Sequence, residues 1–188
     1  MVKILCLGDA LTHGVRSTRG WPEHLWANLD PATVIMLNRG LPPPAKVADV
    51  LRAMDLSMVK PDICIIGAPI YDAKICTPPK EYGLLLSQAV CHALIYSKRV
   101  ILCTPTPIFA RDGQPQGFGR DARRWLPKAV SAVHSAVETI DDPRLHGVNL
   151  SGMPEALLSD GVHPKPDGYK WIAEQLVRPV LTCMSLLR

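Results

Sequence analysis

Asp160 and His163 stand three residues apart in "LLSDGVHPKPDGY", residues 157–169, with Gly161 between them and Pro164 behind. A tight turn at that spacing brings the carboxylate to the ring Nδ1–H of the histidine. The other ring nitrogen is then held as a proton acceptor, and the imidazolium formed on proton uptake is stabilised. The pair reads as a general base and its orienter. A base needs a nucleophile. The run "ILCLGDALTHG", residues 4–14, ends its apolar stretch in Gly8-Asp9 and then Ala10. A hydroxyl at position 10 would be exposed at the carboxyl end of a strand, its own backbone N–H free to bind an oxyanion. The chain has a methyl group there instead.

The elements that must position these residues are short apolar runs alternating with helical patterns. Strands are predicted at 2–7, 33–37, 62–67, 99–104 and 146–150, and helices near 20–29, 46–58, 80–97, 119–140 and 167–178. The middle three strands are nearly continuous apolar segments, as expected for strands covered on both faces. Five βα units imply an α/β fold with a parallel sheet and helices on both sides. Ligands of such sheets bind at the carboxyl ends of the strands. The loops to watch are therefore 8–19, 38–45, 67–79, 104–118 and 151–166, and both chemical segments fall among them. Loop 104–118, with Gly113, Gln114, Pro115 and Gly117, is expected to form a lid. With no linker or repeat, residues 1–188 read as one domain.

Composition narrows the classes. Apolar residues make up 47% of the 188, yet no stretch approaches the ~18 needed to span a bilayer. The N-terminal run passes straight into Gly8-Asp9 and reads as a strand rather than a signal peptide. A net charge of +4 with 5% aromatics argues against a nucleic-acid surface. The six cysteines lack CxxC spacing and read as buried, reduced thiols of a cytoplasmic protein, with no metal site.

"GDALTHG" resembles the GDSL block of the SGNH hydrolase superfamily with Ala10 in place of its serine, and "DGVHP" resembles the block that supplies the catalytic Asp and His. "GWPEHLWANL", "VIMLNRG" and "VILCTPTPIF" resemble further segments of the same family. The resemblance implies a three-layer α/β/α sandwich like flavodoxin, with five parallel strands. It also implies ester hydrolysis through an acyl-enzyme, with no cofactor. Position 10 would be the nucleophile, His163 the base and Asp160 the orienter. The N–H groups of Ala10 and Gly40 would form part of the oxyanion hole.

The chain departs from the family twice. The serine is absent, and so is the Asn of the family's G-x-N-D block. "IIGAPIYDAK" has Pro69 at that point, or Asp72 in place of the Asp if two residues are inserted. Tyr71 is a candidate replacement donor, and Asn38 is expected to brace its own turn. Asp9, His13, Arg39, Pro69 and Tyr71 are candidates for substrate contact. Arg16, Arg19, Arg39 and Lys165 would favour an anionic or carrier-bound ester. The four tryptophans are expected in the core, with Trp21 near enough to line a pocket.

Ala10 is open to two readings. One is an engineered Ser→Ala change that disables a hydrolase. The other is a naturally non-hydrolytic relative that binds a ligand, or that uses the His163–Asp160 pair for acid–base, lyase, cyclase or acyl-transfer chemistry. A dinucleotide-binding module is disfavoured, because no glycine-rich phosphate loop follows any strand.

Overall fold

The computed structural model describes residues 1–110 and 117–187. Five strands, β1 (Val2–Gly8), β2 (Val34–Gly40), β3 (Ile63–Gly67), β4 (Arg99–Cys103) and β5 (Leu145–Val148), form one parallel sheet in the order β2-β1-β3-β4-β5. The register sets Gly8 beside Gly40, Leu7 beside Ile66 and Gly67 beside Cys103. Strand order reverses at β1, so the crevice lies past the carboxyl ends of β1 and β3, next to position 10.

Alternation along the central strands builds two cores. Leu5, Leu7, Cys64, Ile66, Val100 and Leu102 face one side, under α3 (Val47–Arg52), α4 (Tyr71–Ile75), α5 (Pro79–Tyr96) and α6 (Arg120–Ile140). Ile4, Cys6, Ile63, Ile65, Ile101 and Cys103 face the other, under α2 (Trp21–Asn28) and α7 (Pro166–Ser185). This is the expected three-layer α/β/α sandwich. Each fully buried Leu or Ile adds about 1.5–3 kcal/mol to holding the strand ends in place.

Boundaries differ from expectation where local chemistry overrides pattern. The helix expected over 46–58 ends at Arg52, and the chain then turns so that Met54 and Leu56 enter the core from a turn. The last helix runs past Pro179 to Ser185, because Val180 and Cys183 are fully buried and hold its final turns down. Two helices lie in segments read as loops: α1 (Ala10–His13) and α4. Four or five residues are too few to carry a periodic signal. Trp26 is 41% exposed, not a core residue, with its indole N–H on the Val34 carbonyl. Cys6, Cys64, Cys103 and Cys183 are buried thiols, but Cys76 and Cys91 are exposed. Gly113, Gln114 and Pro115 of the expected lid lie outside the described residues. Among the described residues no helix is long and apolar enough to cross a membrane.

Candidate active site

The base loop is closed at its stem. Leu158 and Pro164 form an antiparallel bridge, and the Lys165 N–H donates to the Leu157 carbonyl at 2.8 Å. Gly161 has a φ of 76° and lies so close to the β4–α6 loop that a Cβ there would sit 2.6 Å from the Ala110 nitrogen. The Gly161 carbonyl accepts from the Phe109 N–H at 2.7 Å. This turn lets Asp160 fold back on its own loop. Its Oδ1 accepts the N–H groups of Val162 (3.0 Å) and His163 (2.8 Å), and its Oδ2 lies 2.8 Å from His163 Nδ1. Burial opposes ionisation of Asp160. Hydrogen bonds from the His163 backbone and ring outweigh it and hold the carboxyl below its usual range. An ionised carboxylate accepts, so the ring proton shared with Asp160 is on Nδ1.

The nucleophile turn is built by its neighbours. Asp9 caps α1 with Oδ1 on the Leu11 N–H at 3.1 Å, and its Oδ2 reaches the Ile70 N–H at 2.6 Å. It is buried, and burial pushes its carboxyl up to about 6. Gly14, at φ 87°, ends the helix, and the N–H groups of Gly14 and Val15 both donate to the Ala10 carbonyl. Ala10 itself is the first helical residue, where the backbone N–H has no intrahelical partner. The expected exposure of position 10 is not found: it is only 8% accessible.

Gly40 ends β2 against α1, so close that a Cβ would fall inside the backbone of Thr12 and His13. Its N–H, expected at the oxyanion hole, donates to Asn38 Oδ1 at 2.9 Å. Asn38 is the brace expected of it. Its amide also donates to the Thr12 carbonyl (3.0 Å) and to Glu23 Oε1 (2.9 Å).

The turn after β3 points inward. Pro69 is buried, with its carbonyl accepting from Tyr82 Oη at 3.1 Å. Asp72 is buried too, accepting from the Val47 N–H and the Thr77 hydroxyl. Asp9 and Pro69, expected to touch substrate, are therefore spent on the scaffold. Tyr71 opens α4 half-buried against the core, with the Lys74 ammonium 5.4 Å from its ring centre. His13 and Arg39 are exposed at the mouth, His13 with Nδ1 3.2 Å from the Gly40 carbonyl. Trp21 lines a small internal cavity of about 20 Å³ with Asp9, Thr12 and Thr106, its indole N–H on Thr12 Oγ1 at 3.3 Å.

The expected cationic rim is reduced. Arg16 pairs with Asp160, and Lys165 donates to the Ala156 carbonyl at 2.8 Å. Sequence reasoning missed the ties between the two loops: Arg16 to Asp160, and Tyr169 Oη to the Val15 carbonyl at 2.8 Å. Both cross about 150 positions of chain, so no local pattern signals them. Among the described residues, no group of three or more His, Cys, Asp or Glu is placed to hold a metal ion.

A five-stranded parallel sheet with an Asp–His pair and a capped helix start at its carboxyl edge is the arrangement expected of an SGNH-type fold. The sequence matches the model of the GDSL-like lipase/acylhydrolase family over residues 6–171, and the chain belongs to that family. No curated protein matches it by sequence. Similar solved structures include a lipolytic G-D-S-L family protein from Veillonella parvula, with a TM-score of 0.78 at 16% identity, covering 95% of this chain and 97% of that one. A lipase/acylhydrolase from Enterococcus faecalis gives 0.77 at 20% identity, covering 96% and 95%. An acetylxylan esterase from Geobacillus stearothermophilus, solved as a catalytic Ser→Ala mutant, gives 0.75 at 23% identity, covering 95% and 94%.

Proposed function

We propose that this chain is a single-domain ester hydrolase scaffold, residues 1–188, whose nucleophile position holds Ala10 in place of serine. The observation that carries the reading is the Asp160–His163 bond, made at the same sheet edge as a capped helix whose first residue is position 10. With serine there, His163 Nε2 takes the hydroxyl proton as Oγ attacks the ester carbonyl. The tetrahedral oxyanion is met by the N–H of residue 10. Its collapse forms the acyl-enzyme and releases the alcohol, which takes the proton from His163. Water, deprotonated by the same imidazole, then frees the acid and restores the serine. The substrate is a small ester, and Arg39 and His13 at the mouth favour an anionic one. The free thiols suit a reducing compartment.

Treating the chain and its Ala10→Ser variant with a fluorophosphonate, then weighing both intact, tests this. Labelling of the serine variant alone, lost again on adding His163→Ala, is the expected result. A folded serine variant that stays unlabelled sinks it. One observation favours a second reading, a natural non-hydrolytic relative. The family's Asn is absent and the Gly40 N–H is engaged by Asn38, leaving the oxyanion poorly served. That reading requires the natural gene to encode alanine at position 10.

A further inference from the structure

Arg16 lies just past α1 on the segment that carries position 10, with φ 63°, a backbone shape that L-residues rarely adopt. Its guanidinium reaches Asp160 Oδ2, the same oxygen that faces His163 Nδ1. One residue earlier, the Val15 N–H holds the Ala10 carbonyl, and the Val15 carbonyl accepts from Tyr169 Oη. The segment is thus fastened on one side to position 10 and on the other to the base loop. We propose that Arg16 is a positioning residue: it clamps the Asp160 carboxylate from the nucleophile side, so that the turn bearing residue 10 and the loop bearing His163 hold one fixed spacing. A planar guanidinium suits this, because it can grip a carboxylate oxygen while leaving the lone pair that faces the imidazole. The sequence alone assigned Arg16 to attracting anionic substrate, whereas here its charge is directed at the orienter.

Among the described residues, the other charged and titratable groups nearby make contacts of their own. On the base loop Lys165 is turned to the Ala156 carbonyl. From α7 comes Tyr169, neutral and occupied with Val15. From the nucleophile turn come Asp9, committed to the Leu11 and Ile70 N–H groups, and His13, against the Gly40 carbonyl. From α6 comes Arg123, which donates to the Ala110 carbonyl.

The clamp rests on reading Asp160–His163 as the base pair, but its test does not depend on hydrolysis. In the unaltered, ¹⁵N-labelled chain, the His163 Nδ1 proton should give a resolved, slowly exchanging low-field resonance. Arg16→Gln and Arg16→Met should broaden or abolish it, while the remote charge change Arg178→Gln keeps it. An unchanged resonance in folded Arg16 variants overturns the clamp. Its absence from the unaltered chain removes the base pair itself, and the clamp with it. If neither variant folds, the unaltered chain decides: separate, hindered Arg16 guanidinium protons are expected, and a single averaged signal overturns the proposal. In the Ala10→Ser background, Arg16→Gln should lower kcat about tenfold or more with KM within about twofold. Equal loss through KM alone would return Arg16 to substrate attraction. An Ala10→Ser chain that never hydrolyses, with the Nδ1 resonance behaving as expected, fails the proposed function and leaves the clamp standing.

Discussion

The loop at 158–164 and the turn at 67–71 sit on the same sheet edge and are organised in opposite ways. In the first, polar groups of one loop are turned toward one another: Asp160 gathers two backbone N–H groups and the imidazole. In the second they are turned inward. The Ile70 N–H goes to Asp9, the Pro69 carbonyl to Tyr82, and Asp72 to Val47 and Thr77. On the proposed function, the backbone that presents the base is intact, and the segment expected to carry the family's Asn donor serves as scaffold. Proton transfer and oxyanion binding are separable parts of one machine, each resting on its own hydrogen bonds, so one can be rebuilt while the other stays.

The largest effect that would sharpen this contrast is gain of covalent chemistry. Ala10→Ser should raise turnover of a small activated ester by at least about 10⁴-fold over the unaltered chain, measured by initial rates. A gain under about tenfold would mean that the inward-turned segment has already removed oxyanion binding. In that serine background Asp160→Asn should cut kcat by about 10⁴-fold, because the imidazole loses its tautomer and orientation. Near-full activity would break the assignment of Asp160.

Stability effects come next. The two aspartates have opposite pH linkage. Asp9 is raised on folding, so the stability it allows falls as pH rises from 3.8 to about 6. Asp9→Asn removes that slope, and its stability relative to the parent should improve by about 2 kcal/mol between pH 4 and pH 7, read from urea melts. A parallel pair of curves would contradict a buried, raised Asp9. Asp160 is lowered, so its stabilisation is present above the ordinary carboxylate range and is lost as pH falls through its folded value. Gly40→Ala should destabilise by about 1–3 kcal/mol through overlap with α1. The smallest effect is Tyr169→Phe, about 1 kcal/mol for one hydrogen bond to Val15. A loss well beyond that would mark this tie as more than a single bond.

Much of the fold was legible because burial on both faces writes itself into composition. "ICII" in β3 and "VILC" in β4 have no polar alternative, and their parallel pairing follows. The Asp160–His163 pair was legible because it is local, three residues across one glycine turn. What escaped was set by distance or brevity. α1 and α4 are shorter than two helical turns, and the Gly40 N–H was taken by a side chain two residues away that reads as an ordinary turn asparagine. Arg16 looked like any loop arginine until the fold set Asp160, 144 residues on, against it.

That separation has a consequence for how the protein comes into being. The ties between the two loops span 144 and 154 residues, so they can form only once Asp160 and Tyr169 have left the ribosome. At ordinary synthesis speeds the Arg16 segment waits roughly 7–30 s for its partner. Closing so long a loop comes late among contacts, after the local βα units have condensed. The Asp160–His163 bond is local and can close early, whereas its tie to the turn that carries position 10 belongs to the last stage of assembly, when α7 covers the second face of the sheet.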